Sequence, residues 1–468
     1  MRHAFPHRLF LSAATPLAVA CLLAAQQPHA TRITGTVLKT QLPAIIVTAA
    51  PVYDSLAALR GTDRFPQGAQ LMLLRAGQMR PLVPQFAASA DASVSFDANT
   101  VLFSGKQHPE DPWQIWTIPV SGGTPQRVLI ATEDLIRPLW MPSGRLAYAR
   151  RAASGFTLES AQLDGSAVQR LSFVPGNFIP DDVLRDGRVL FETGFPLGSG
   201  QSPEMFLVYA DGSGVESVRC DHGTGQERGG REHGRQFASG DIVFTHGNRL
   251  ARFTSALADE AAISAPPAEY AGDVAELPRG RWLISLKKRG TSHFSLAAWQ
   301  PGASALQSIA SDDERDLVEP VVVAPRPMPN RHPSGLHDWT TGNLLALDAH
   351  LTRSGRITES PTTVRVETIG PDGRAIALGT APVEPDGSFF IQATGDRPLR
   401  FVLLNEHGQK IRAEEGWFWV RRGEQRICVG CHTGPERSPD NRVPQVLLRT
   451  TTPVDVTGAT GATLAGGH

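Results

Sequence analysis

Between residues 66 and 350, short apolar runs recur, each introduced by a polar turn containing Gly or Asn. Clear copies are Asp97-Ala98-Asn99-Thr100-Val101-Leu102-Phe103, Pro142-Ser143-Gly144-Arg145-Leu146-Ala147-Tyr148 and Arg185-Asp186-Gly187-Arg188-Val189-Leu190-Phe191. Weaker copies are Ser239-Gly240-Asp241-Ile242-Val243-Phe244 and Arg279-Gly280-Arg281-Trp282-Leu283-Ile284. A second set of turns, Ser121-Gly122-Gly123, Asp164-Gly165-Ser166 and Asp211-Gly212-Ser213, follows apolar strands and leads into others, the signature of hairpins. From Asn99 to Gly144, Gly187, Gly240 and Gly280 the steps are 45, 43, 53 and 40 residues, close to the length of a four-stranded propeller blade. Five blades are read directly. The strand at Leu71–Leu74 and the segment from Val318 to Leu347 are expected to supply a sixth that closes the ring.

The pattern changes after the Pro-rich stretch from Pro320 to Pro333, a domain boundary by composition. Val364–Glu367, Phe389–Gln392, Phe401–Leu404 and Trp417–Val420 read as strands separated by Asp372-Gly373, Asp386-Gly387-Ser388 and His407-Gly408 turns. The expected fold class is therefore all-β: an N-terminal β-propeller over 44–340, six-bladed, followed by a small β-sandwich-like domain over 341–449. Residues 450–468, rich in Thr, Gly and Ala without apolar periodicity, are expected to be a disordered tail.

The N-terminus has Arg2 and Arg8 before an apolar run from Leu9 to Ala25, too short for a secure membrane span and interrupted by Gln26. Residues 1–25 read as a secretory signal with Ala18-Val19-Ala20 as cleavage site. Cys21 directly after it is a candidate lipidation site, against which stand Ala18, where Leu is usual, and the continued apolar run at Leu22-Leu23. The expected location is periplasmic or otherwise extracytoplasmic, with a membrane reached only through such an anchor. Forty-six acidic residues nearly cancel 45 basic ones, so no net field favours nucleic acid. With four Cys in 468 residues there is no multi-disulfide framework, and the fold must rest on its cores.

Cys428-Val429-Gly430-Cys431-His432 has the spacing of covalent haem c attachment. Two thiols three positions apart reach the two vinyl groups on one porphyrin edge, and the adjacent imidazole turns beneath the ring to bind iron. This composition would yield the pattern by chance in about one chain per thousand. A structural zinc site would need further ligands, and the other internal cysteine, Cys220, is far away in sequence. A redox dithiol would need a βαβ setting, whereas a strand is read just upstream. One covalent haem c is therefore expected on Cys428 and Cys431, with His432 as axial ligand. Trp417 and Trp419 offer apolar faces for a porphyrin; Arg426 and Arg437, with Arg421 and Arg422, are candidate propionate partners, although such residues also serve as core and surface. Candidates for a sixth iron ligand are His332, His337, His350 and His407. Separately, Cys220 and His222 are metal candidates, opening a Gly-rich inter-blade loop that continues through Glu227, Arg228, Arg231, Glu232 and His233.

The segments Thr341-Gly342-Asn343-Leu344, Gly387-Ser388-Phe389, Trp417-Phe418-Trp419 and the Cys-x-x-Cys-His motif, continued by Gly434-Pro435-Glu436-Arg437-Ser438-Pro439, resemble the middle domain of the hydrazine synthase alpha subunit family. The upstream repeats resemble TolB-type propellers. The resemblance implies a propeller joined to a haem domain, with haem binding and redox chemistry. This chain departs from it in having a single haem motif and no tyrosine after Tyr270, whereas the family's active-site haem takes a nearby tyrosine, so hydrazine synthesis is not implied.

The function expected on these grounds is that of an exported monohaem c-type cytochrome-like protein, transferring electrons with the propeller as docking scaffold for a redox partner protein. One alternative is a haem enzyme with an open iron acting on a small nitrogenous or peroxide substrate. Another is a propeller binding module in which the haem is structural.

Overall fold

The structure is a computed structural model that describes residues 42–194, 203–218, 230–255, 258–352, 355–414, 416–430 and 441–458. Six four-stranded antiparallel sheets form the first part of the chain. In blades two to six the strands run in sequence from the innermost outward, beginning at Ala88–Val94, Leu135–Met141, Asn177–Val183, Arg231–Gln236 and Glu269–Leu277. The five repeating turns read from the sequence all connect a blade's inner strand to its second, and the second set of turns leads to the outermost strand. The repeat is visible because each turn is locally encoded while the strand after it is buried on both faces.

Blade one closes the ring. Its outer three strands, Ala44–Ala50, Gln70–Arg75 and Gln78–Pro81, come from the start of the propeller. Its inner strand, Asp316–Val323, comes from the end and pairs from Ala44↔Val323 to Ala50↔Asp316. The sixth blade expected from Leu71–Leu74 and the Val318 segment exists, but the chain beyond Val323 is not part of it. Thr341–Ala346 instead begins the second domain. Between blades the cores are apolar, as where Leu71 and Leu73 of blade one meet Val101, Phe103 and Trp116 of blade two.

Every inner strand carries a register shift midway. At these bulges Asp91, Arg137, His233 and Glu319 adopt positive φ of 54 to 60°, and the extra residue bends the strand and re-aims its side chain. The polar side chains so turned are nearly all buried and pair with one another around the ring centre. Arg64, in the connection between two strands of blade one, donates to Asp91 of blade two and to Glu319 of the closing strand.

The second domain is a sandwich of two four-stranded sheets. One runs Gln425–Cys428, Thr341–Ala346, Phe389–Thr394, Val454–Asp455; the other runs Ala375–Pro382, Thr363–Ile369, Arg400–Leu404, Lys410–Ala413. Leu344, Val366, Phe389, Ile391, Phe401 and Val420 lie in the core between them. Two expectations are corrected. Trp417–Val420 is not a strand but an extended crossing with one bridge, Leu399↔Phe418, because its side chains are divided between the sandwich and the propeller. The tail does not begin at residue 450: a short helix, Gln445–Arg449, leads to Val454–Asp455, which pairs in parallel with Ile391–Gln392, and Val456 is buried. Two valines spaced by one residue are too short a pattern to reveal a strand.

Replacing Arg64 by Met removes the guanidinium shared by Asp91 and Glu319 and leaves Glu319 only the more distant Arg137, at 3.7 Å. The expected loss is about 3–5 kcal/mol in denaturant unfolding, against ~0–1 kcal/mol for Arg60→Met, which removes an exposed pair with Asp54.

Candidate haem-attachment site

Gln425–Cys428 is an edge strand held parallel to Thr341–Ala346, in register from Asn343↔Gln425 to Ala346↔Cys428. The Asn343 amide donates to the Glu424 carbonyl and the Leu347 amide to that of Cys428, both at 2.9 Å. Side chains alternate along the strand: Gln425 and Ile427 are exposed, while Arg426 and Cys428 turn to the other face and are half-buried. Arg426 shows what that face meets. Its guanidinium donates to the carbonyl of Val215 in blade four and, at 3.3 Å, to that of Trp419, and lies 5.6 Å from the Phe418 ring centre. The Cys428 thiol is thus directed to the propeller side of the strand.

Cys428 is free. Burial pushes its thiol up, the Arg426 guanidinium and its hydrogen bond partly oppose this, and Glu414 and Glu424 push further up. The thiol is therefore held protonated at neutral pH rather than poised as a nucleophile.

The segment leading to the strand is clamped on blade four's Asp211-Gly212-Ser213 turn. Trp419, 2% exposed, donates from Nε1 to the Gly212 carbonyl at 2.8 Å and packs edge-on to Phe173 and Phe178. Arg421 donates to the Asp211 carbonyl and, at 2.7 Å, to Asp396, and covers the Phe173 ring. Glu424 accepts from the Gly214 amide at 3.0 Å and from the Arg421 amide at 2.7 Å; burial pushes its carboxyl up. Gly212 is fixed by its setting: φ is +84° and a Cβ would stand 2.7 Å from the Arg421 guanidinium.

Of the residues singled out from sequence, Cys428, Arg426, Trp417 and Trp419 fall among those described. Trp419 is spent on packing between the domains. Trp417 is half-buried with the Arg400 guanidinium 4.7 Å from its ring centre. Cys431, His432, Arg437, Cys220 and His222 lie outside the described residues. The four other histidines are dispersed. His350 is buried 2.8 Å from Asp348, His407 is exposed, His332 stacks on Tyr209 and His337 on Trp339. Arg231, Glu232 and His233 do not belong to an inter-blade loop but to the inner strand of blade five, where all are buried. Sequence reasoning missed Glu424, Phe173 and the Asp211–Ser213 turn as a dock; a hairpin turn carries no mark of what will be laid on it.

Propeller and sandwich, with a Cys-x-x-Cys-His motif opening at the end of the sandwich's edge strand, define an all-β two-domain architecture. Residues 353–433 match the family described as hydrazine synthase alpha subunit middle domain. The fold as a whole superposes on Kuenenia stuttgartiensis hydrazine synthase with a TM-score of 0.74 and 15% identity, over 87% of this chain and 72% of that one. TolB from Acinetobacter baumannii aligns over 59% of this chain and 66% of its own, with a TM-score of 0.43 and 13% identity. No curated protein sequence matches the chain. The resemblance read from the sequence therefore holds for the sandwich segment, and the hydrazine synthase likeness extends in fold across both domains.

Trp419→Ala removes the aromatic anchor from the domain junction. The expected cost is about 3–5 kcal/mol, read as a lower denaturant midpoint together with faster proteolytic cleavage in the connection between Val323 and Thr341.

Proposed function

We propose that the chain is an exported monohaem c-type cytochrome-like protein in which the propeller forms one wall of the haem site and docks a redox partner. The observation that carries this reading is the placement of Cys428: a free thiol at the end of an edge strand, on the face turned to blade four, with Val-Gly-Cys-His following directly. The residues fit the group, because among the described residues the thiol has no disulfide partner, is partly desolvated and lies beside the Arg426 guanidinium. Cys428 and Cys431 would hold the porphyrin through thioether bonds and His432 would supply a nitrogen to the iron. Trp417, Arg426 and Arg437 are further contacts, whereas Trp419 acts by fixing the crossing segment against the propeller. Bound haem supplies one-electron redox chemistry, with a potential set by axial ligation, burial and neighbouring hydrogen bonds. Export to the periplasm, with or without a lipid at Cys21, places the motif where covalent attachment takes place.

A second reading, a haem enzyme acting on a small nitrogenous or peroxide substrate, is favoured by the match of residues 353–433 to the hydrazine synthase alpha middle domain. The two readings part on whether a bound haem iron would be open to a small ligand.

The chain is to be expressed with a cytochrome c maturation system and its oxidised and reduced spectra recorded with and without carbon monoxide. A covalent haem band that is low-spin and slow to take up carbon monoxide is the expected result; rapid uptake establishes the enzyme reading, and no covalent haem overturns both. Cys428→Ser with Cys431→Ser is expected to abolish haem staining after denaturing electrophoresis while leaving the propeller folded by circular dichroism.

A further inference from the structure

The inner strands gather a second set of ligating side chains, independent of the cysteine motif. Asp181 on the inner strand of blade four, Glu192 on its second strand and His233 on the inner strand of blade five are buried, and each offers a donor atom within 4.8 Å of the others. The bulges explain their convergence. Register shifts lie between Pro180 and Asp182 and between Glu232 and Arg235, and His233 takes φ +58°. The backbone then orients both carboxylates: the His233 amide donates to Glu192 at 3.1 Å, and the Gly234 amide to Asp181 at 3.3 Å.

Charge does not balance here. Arg137 reaches Asp181 at 3.0 Å but is shared with Asp273. Arg235 is drawn to Asp273 at 2.8 Å, and Arg64 is taken by Asp91 and Glu319. Among the described residues, neither Glu192 nor the adjoining Glu232 makes an ion pair with an arginine or lysine. A separate observation points to a missing ligand. Glu232, with a side chain only 6% exposed, has an oxygen, Oε2, without any hydrogen-bond partner, directed into the cluster 3.5 Å from His233 Nε2. A buried carboxylate oxygen left so is costly unless a proton or a cation meets it. A neutral imidazole at His233 has a lone pair to give.

We propose that Asp181, Glu192 and His233 bind a divalent first-row transition cation at the centre of the propeller, cross-linking blades four and five, with Glu232 as the adjoining carboxylate. One imidazole nitrogen with carboxylate oxygens suits zinc or manganese; magnesium and calcium favour all-oxygen sets. No thiol takes part in the cluster, so manganese serves as a probe that avoids the cysteines.

The test uses the full-length, haem-loaded protein, in which the cysteine motif is closed to added metal. It is analysed for metal as purified and then titrated with manganese, followed by electron paramagnetic resonance, and with zinc, followed by equilibrium dialysis. The expected result is one equivalent of zinc or manganese per chain, a raised thermal midpoint on binding, and affinity lowered at least ~10-fold in Asp181→Asn and Glu192→Gln. Cys220→Ser with His222→Ala is expected to leave binding unchanged. Absence of stoichiometric binding of both metals by the wild-type protein overturns the proposal, whatever the stability of the variants. So does binding that survives both carboxylate changes, that is lost with Cys220 and His222, or that magnesium or calcium matches in affinity.

Discussion

The ring depends on one pairing, that of Asp316–Val323 with Ala44–Ala50. Until it forms, blade one lacks its inner strand and the polar residues at the ring centre lack their last partner, Glu319. Its formation carries a large loop-closure cost, since the contact joins the two ends of the propeller. Burial of Ile45, Ile46, Val47 and Leu317 opposes that cost. Arg64 adds a specific constraint by joining the closing strand to blade two through buried ionic hydrogen bonds. Such pairs contribute little net stability compared with apolar packing, but they penalise any arrangement that leaves one charge alone.

The sandwich is seated by different means. Trp419 fills an aromatic gap on blade four, where the Gly212 and Asp211 carbonyls accept from Trp419 and Arg421 and the Gly214 amide just after the turn donates to Glu424. Because Arg426 bonds to Val215, the strand face bearing Cys428 is fixed relative to the propeller rather than free to rotate with a flexible linker. The propeller is therefore part of the environment of Cys428, and a substitution on blade four can act on that residue without touching it.

The propeller was legible because its periodicity is written twice, in turn residues and in apolar strands, at blade spacing. The edge strand before Cys428 was also legible, as was the hairpin turn at Asp211-Gly212. What escaped had long-range causes. Val454–Asp455 is a strand only because Phe389–Thr394 offers it an open edge. Trp417–Val420 looks like a strand by composition, yet its aromatics are claimed by two cores. Asp91, Arg137 and Asp181 were not singled out, since a bulge that turns them inward has no local signature. Glu232 and His233 were noticed as possible metal ligands but assigned to a loop, and the carboxylates that converge on His233, Asp181 and Glu192, come from the neighbouring blade.

The parallel addition of Val454–Asp455 to Phe389–Thr394 has a consequence for timing. A chain synthesised from its N-terminus presents the Cys-x-x-Cys-His segment before the last strand of the sandwich is available. During that interval the edge beside Ile391 is open and Val456 is missing from the core, so the domain has not yet reached its final packing when its cysteines first emerge. The thiol of Cys428 thus meets solvent while the surrounding fold is incomplete, and the closing strand completes the sheet only afterwards.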